Sequence, residues 1–164
     1  MPVDFLTLVR RDHADLTLEL GQLLDPSASA AELRTALDGI RLGLTAHVEA
    51  EDIVLGRLEA VPVLAPAIAQ ARAAHRVQET TLVALVSERP QTAAWRFRAH
   101  ELRELVWCHA GAEERGLFAA MERHAPADIL AELAGAFATE RLRQLAFLQP
   151  SAPVFVRQVA QRVW

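Results

Sequence analysis

The sequence TAHVEAEDIVL, residues 45–55, places His47 and Glu51 four residues apart within an apolar pattern. Apolar residues recur every three or four positions from Leu33 to Leu58, as they do on the inner face of a helix. Side chains four residues apart lie one above the other on a helix, so His47 and Glu51 can point to the same place in the core. Because buried charges are costly unless they are paired or bind metal, this stretch predicts a helix that carries two metal ligands.

Other parts of the chain repeat this feature. His75 and Glu79 form a second pair with the same spacing, and His109 and Glu113 form a third. His13 interrupts an earlier apolar stripe in the same way. Each of these groups occupies positions where a helix would be expected to show apolar side chains, so the pattern indicates a shared site inside the protein.

Periodicity and helix-end signals predict five helices and no strand. The first begins after Asp4 and ends near Pro26, and the second begins at a Ser29/Glu32 capping box. The third begins near Pro66, the fourth follows the segment SERPQT (residues 87–92) and ends near residue 124, and the fifth spans about residues 128–148. Short connections predict an all-α, up-down-up-down four-helix bundle over residues 1–124. A C-terminal helix and tail, residues 125–164, would pack on the bundle or at a dimer interface.

In such a bundle the histidines and glutamates of all four helices lie at one level. At a rise of about 1.5 Å per residue, their distances from the helix ends agree within about two helical turns. His100 and His124 also precede acidic residues, but the first points away from the inner face and the second lies at a helix end, so both are predicted to be solvent-exposed. We predict that seven residues bind metal: His13, His47, Glu51, His75, Glu79, His109 and Glu113.

Composition and charge exclude several classes of function. The formal net charge of −4 offers no general attraction to nucleic acid, and no apolar run is long enough to span a membrane. The first residues do not resemble a signal peptide, so we expect a cytoplasmic protein. Cys108 is the single cysteine and cannot form an internal disulfide. It is predicted to be a small core or interhelix residue.

The motifs together resemble the hemerythrin-like proteins of the HHE cation-binding class over about residues 3–123. The resemblance rests on four segments: RRDHADL (residues 10–16), TAHVEAEDIVL, ARAAHRVQET (residues 71–80) and CHAGAEERGLF (residues 108–118). It implies two iron ions with a bridging oxo or hydroxo group, manganese being the alternative metal. Ferritin-like proteins instead use a histidine three residues after a glutamate, a spacing that does not occur here. By the family pattern, the ligands of one iron would be His13 and His47, those of the other His75, Glu79 and His109, and the bridges Glu51 and Glu113.

The sequence departs from the oxygen-carrying members of this class at two positions. Glu79 stands where they have a histidine, and an additional anionic ligand would stabilise ferric iron and favour autoxidation over reversible oxygen binding. The carriers also place the last bridging carboxylate five residues after its histidine, which would be Glu114 here. Helical geometry favours Glu113 instead, because five residues turn a side chain well away from His109.

The resemblance implies a protein that binds or reacts with oxygen, peroxide or nitric oxide, in sensing or detoxification. Catalase-like consumption of peroxide is the leading enzymatic form. The alternatives are a di-iron oxygenase or oxidase acting on a small organic substrate, and non-catalytic iron storage or delivery. The expected partners are a small ligand and a second copy of the chain bound through the C-terminal segment, with no nucleic acid and no membrane.

Overall fold

The computed structural model describes residues 3–148 of the chain, and these residues form helices without any strand. The elements are α1 (Phe5–Gln22), α2 (Ala30–Gly56), α3 (Ala65–Ser87), α4 (Ala93–Glu113), a π-helical turn (Glu114–Phe118), α5 (Ala119–His124) and α6 (Ala127–Leu148). The π turn joins α4 to α5, so these two helices form one continuous rod. The described residues therefore form five helical rods. The predicted all-α helical bundle is confirmed.

The helices begin at the signals that the sequence contains. The side chains of Asp4, Ser29 and Thr92 each accept a hydrogen bond from the backbone N–H three residues later. The Glu32 carboxylate also accepts from the backbone N–H of Ser29 at 2.8 Å, which completes the predicted capping box. Such caps contribute about 1 kcal/mol each to helix stability, so they set where each helix starts.

The core consists of two apolar clusters with a polar layer between them. One cluster surrounds Phe5, Val54 and Phe118, and the other surrounds Leu20 and Trp95 near the opposite end of the bundle. α6 packs along α1 and α2, where Phe137 meets Phe5 edge to face with ring centroids 5.7 Å apart. The polar layer therefore lies between apolar clusters along the bundle, and α6 covers it on the side of α1 and α2.

The π turn lets two consecutive apolar residues enter the core. Leu117 and Phe118 are both buried, whereas consecutive residues of a regular helix point about 100° apart. The Phe118 ring lies nearly parallel to the His13 imidazole, with an interplanar angle of 9° and centroids 6.4 Å apart. Sequence periodicity predicted one regular helix here, and this prediction was wrong over Glu114–Phe118. The wider turn depends on how Leu117 and Phe118 pack in the core, which periodicity does not include.

Several other predictions can be compared with the structure. His100 and His124 are exposed, as expected. The prediction for Cys108 was wrong: it is exposed on α4, because its position falls on the outer side of the helix next to inward-facing His109. The predicted C-terminal tail, residues 149–164, lies outside the described residues, and the division of the chain at residue 124 stays a prediction. No helix within residues 3–148 combines the length and the apolar character needed to cross a membrane.

Candidate metal centre

Six of the seven predicted ligands come together in the polar layer. α1 provides one histidine, α2 and α4 each provide a histidine and a glutamate four residues apart, and α3 provides one histidine. Each of the six residues is 5% exposed or less. They are His13, His47, Glu51, His75, His109 and Glu113.

The six side chains form two overlapping groups. His13, His47, Glu51 and His109 form the first, and their ligand atoms all lie within 4.8 Å of one another. The second group contains Glu51, His75, His109 and Glu113 at the same spacing. Glu51 and His109 belong to both groups. These buried groups of histidine and glutamate could therefore hold metal in the polar layer.

The imidazole Nε2 atoms point toward the centre of the layer. Those of His75 and His109 lie 3.0 Å apart, and that of His47 lies 3.2 Å from Oε2 of Glu51. Oε2 of Glu113 lies 3.5 Å from Nε2 of His109 and 3.6 Å from Nε2 of His13. His75 and His109 are within hydrogen-bond distance of one another, whereas the carboxylate–imidazole distances are longer than the about 2.7–2.9 Å of most charge-assisted hydrogen bonds, so the glutamates and histidines surround a common space.

The buried polar atoms of this layer fit a metal site. Both ring nitrogens of His13, Nε2 of His47 and all four carboxylate oxygens of Glu51 and Glu113 have no hydrogen-bond partner among residues 3–148. A buried polar atom without a partner costs about 1–3 kcal/mol, and charged atoms cost more. Because nitrogen and carboxylate oxygen donors suit iron and manganese, bound cations would satisfy this set.

Burial keeps two of the imidazoles in the form that binds metal. It lowers the pKa of His13 and of His109 to about 3, with the neighbouring histidines adding to the effect. These rings are therefore neutral near pH 7, and a neutral imidazole has a free nitrogen lone pair for coordination. His47 differs: burial would lower its pKa, but the hydrogen bond to Asp12 and the negative charges of Glu51 and Asp12 outweigh burial and raise the pKa to about 9.

The two central carboxylates are in opposite electrostatic situations. Burial would raise the pKa of Glu51, but the nearby positive charge of His47 lowers it to about 2. Burial raises the pKa of Glu113 well above its usual range, and the negative charge of Glu51 raises it further. It is therefore unfavourable for both groups to be ionised at once in this buried layer. Cations between them would offset this cost.

The chain matches the family described as Hemerythrin HHE cation binding domain over residues 4–121. It belongs to the hemerythrin HHE cation-binding family. No curated protein and no solved structure gives a match. The bundle is thus a hemerythrin-type cation-binding domain with a histidine and glutamate cluster able to hold metal.

Two further carboxylates orient the histidines of this hemerythrin domain, and sequence reasoning missed both. Nδ1 of His47 donates to Oδ2 of Asp12 at 3.0 Å, and Nδ1 of His75 donates to Oδ1 of Asp52 at 2.8 Å. Each bond holds the ring so that Nε2 faces the centre, as second-layer carboxylates do at metal sites. The sequence could have indicated these two carboxylates by their position next to predicted ligands, since Asp12 precedes His13 and Asp52 follows Glu51.

Asp12 also connects the centre to the C-terminal helix. Nε of Arg141, on α6, donates to the same Oδ2 atom at 2.6 Å. Burial would raise the pKa of Asp12, but the hydrogen bonds from His47 and Arg141 lower it below its usual range. α6 therefore keeps this carboxylate ionised beside the histidine.

Replacing Asp52 with alanine is expected to weaken metal binding by about 10–100-fold, the usual effect of losing an outer carboxylate. Nδ1 of His75 would lose its acceptor, so the ring would no longer be held toward the centre. Asp15→Ala is the control, because Asp15 is exposed on α1. Competition with a metal-binding dye measures both affinities, and equal affinities for the two variants would contradict a positioning role for Asp52.

The structure does not bring Glu79 to the cluster. Glu79 belongs to neither group of ligand atoms within the described residues, and it is half-buried. Partial burial and the charges of Glu49 and Asp52 raise its pKa. The inner face of α3 instead passes through His75 and Gln78, and Gln78 is fully buried. The predicted effect of Glu79 on the iron potential therefore lacks its structural basis.

Glu113 and Glu114 were both available as the last carboxylate of the centre, and the structure places them differently. Glu113 is buried in the hemerythrin centre, whereas Glu114 is exposed.

Gln78 introduces a polar group that periodicity did not identify. Neither its amide oxygen nor its amide nitrogen has a hydrogen-bond partner among the described residues.

Proposed function

We propose that this domain holds two iron ions, with manganese as the alternative, and that it binds or reacts with oxygen, peroxide or nitric oxide. The observation that supports the proposal is the sharing of Glu51 and His109 between two buried ligand groups. A site for a single cation would not need six inward side chains from four helices.

We assign the residues by the family pattern and by their distances. His13 and His47 would bind one ion, and His75 and His109 would bind the other. Glu51 and Glu113 would lie between them, because Oε2 of Glu51 is near His47 and His75 and Oε2 of Glu113 is near His13 and His109. Asp12 and Asp52 would hold two of the imidazoles in place. When bound, a pair of iron ions supplies one-electron redox steps and an open position for a small molecule.

The surroundings of the centre favour a small ligand over a large one. Phe118 lies over His13, and Phe137 meets His47 with ring centroids 6.1 Å apart. These rings give His13 and His47 apolar neighbours, and a lower dielectric there strengthens the interactions of the charged ligands. Peroxide consumption of the catalase type is the enzymatic form that this enclosed site supports best.

One observation favours the oxygenase alternative. A surface groove of about 770 Å³ between α1 and α4 is lined by Arg10, Arg103, Arg115 and the exposed Trp107, and it reaches His13. This volume lies within the range of sites for organic ligands. A di-iron oxygenase or oxidase acting on a small anionic organic substrate is therefore the second candidate function. Iron storage or delivery is the non-catalytic candidate.

Metal analysis and visible spectroscopy test these proposals together. We expect two iron ions per chain after anaerobic loading, and a change of the visible spectrum when the reduced protein meets oxygen, peroxide or nitric oxide. Continued peroxide loss would indicate an enzyme, and a single stoichiometric change would indicate a sensor. One ion per chain, or no spectral change with any of the three molecules, would contradict the proposal.

A cytoplasmic location and a homodimer formed through the C-terminal segment are further proposals. Two large apolar side chains of α6 support the dimer, because Leu142 is 67% exposed and Phe147 is 80% exposed. Analytical ultracentrifugation of the full chain tests it, and a concentration-independent monomer mass would contradict it.

A further inference from the structure

A narrow opening lies between α3 and the rod formed by α4 and the π turn, and it ends at the metal centre. Its walls consist of small side chains from both sides. Gln70 and Gly116 are exposed at its outer end, and His109 and Glu113 are buried at its inner end. We call it the α3–π opening and define it by nine residues: Ala67, Gln70, Ala71, Ala74, His109, Ala112, Glu113, Gly116 and Leu117.

The inner end of the α3–π opening contains a polar group that lacks a partner. Glu113 is 3% exposed, and neither of its carboxylate oxygens has a hydrogen-bond partner within residues 3–148. Such a group needs a ligand, a water molecule or a cation to satisfy it. The opening therefore leads directly to one of the candidate metal ligands.

The size of the opening limits what can use it. Its volume is about 50 Å³, which accommodates a few water-sized molecules. Pockets for drug-sized ligands are about 300–1,000 Å³. A molecule of two or three heavy atoms fits, whereas a branched organic molecule does not.

We propose that the α3–π opening is the route by which oxygen, peroxide or nitric oxide reaches the centre, and that Ala74, Ala112 and Gly116 set its size limit. This inference rests on the proposed function. The π turn contributes directly, because Gly116 lies within it and π-helical turns occur frequently at functional sites.

Gly116 is the position at which the route can be closed with the least disturbance. A Cβ atom added there would have no heavy atom within 4 Å, apart from its own chain neighbours and helix backbone. Because Gly116 lines the outer end of the opening and has this room, we expect a leucine side chain there to cover that end without displacing the backbone. Ala74, on the α3 wall and half-buried, provides a second position for the same test.

The test measures how fast the reduced, iron-loaded protein changes its visible spectrum after mixing with oxygen. We expect Gly116→Leu and Ala74→Leu each to slow this change by about tenfold or more, which corresponds to a barrier about 1.4 kcal/mol higher. Gly116→Ala adds only a Cβ atom, which meets no heavy atom within 4 Å. The barrier should therefore hardly change, and the rate should stay within about twofold of the wild type. Iron content and the final spectrum should be the same in every variant.

Two controls separate this route from other effects. Gly39→Leu makes the same exchange at an exposed position of α2, where an added Cβ atom also has free space, and it should leave the rate unchanged. Ala14→Leu fills the α1/α4 groove beside His13 and should likewise leave the rate unchanged. If Gly116→Leu does not fold, Ala74→Leu carries the test alone.

A wild-type rate in the folded, iron-loaded wall variants would overturn the inference, and slowing by Ala14→Leu alone would assign the route to the α1/α4 groove.

In the wild type, hydrogen peroxide should react at least about tenfold faster than tert-butyl hydroperoxide. Equal rates for the two peroxides would also contradict the size limit. A wild type that reacts with none of the small molecules contradicts the proposed function itself, whereas a reactive wild type with unaffected variants contradicts only the route.

Discussion

Replacing Glu51 with glutamine is expected to remove both metal ions from the domain. Glu51 belongs to both ligand groups, and it is fully buried with Oε2 close to His47 and His75. Glutamine keeps the shape of the side chain but removes its negative charge. Loss of an outer carboxylate already weakens metal binding about 10–100-fold, so we expect a loss of about 100-fold or more at each site.

The control for this variant lies two residues earlier on the same helix. Glu49 is exposed, so Glu49→Gln changes the net charge by the same amount without touching the centre. Elemental analysis after loading and gel filtration gives the metal content of each variant. Two ions per chain in Glu51→Gln would mean that Glu51 is not a shared ligand, and the assignment of the two groups would be wrong.

Removing the metal ions is expected to lower the free energy of unfolding by several kcal/mol. A ligand that binds only the folded state adds about 4 kcal/mol per site when its free concentration is 1,000 times its dissociation constant. In the metal-free protein, burial and the Glu51 charge still raise the pKa of Glu113, and the unpartnered buried atoms still carry their cost. The midpoint of thermal unfolding should therefore fall by on the order of 10 °C.

Anaerobic denaturant unfolding with and without iron(II) measures this difference. The Glu51→Gln variant is the matched control, because it should unfold at the same denaturant concentration whether or not iron is added. Superimposable curves for the wild type, under conditions where elemental analysis shows two bound ions, would contradict metal binding as a stabilising element of the core.

Most of the buried histidines and glutamates of the candidate centre could be predicted from the sequence because each of them interrupts a local apolar pattern. His47 and Glu51 stand at positions of the α2 stripe that would otherwise be apolar, and the structure places both in the core. The same holds for His109 and Glu113. These predictions need only the period of one helix, and that period is determined by backbone hydrogen bonding.

Glu79 shows where the period of a single helix is not sufficient. Gln78 and Glu79 are neighbours on α3, and a rotation of a few tens of degrees about the helix axis decides which of them faces inward. That rotation depends on how α3 packs against α4 and α2. In the structure Gln78 is fully buried, and Glu79 lies near the charges of Glu49 and Asp52.

Helix positions, helix ends and six inward candidate ligands follow from the sequence by itself, because propensity, capping and periodicity act over a few residues. Only the tertiary structure decided that Asp12 meets His47 and Arg141, since these residues are far apart along the chain. It also decided the π turn and the α3–π opening. Both depend on the spacing between packed helices, which is determined by the side chains of several helices at once.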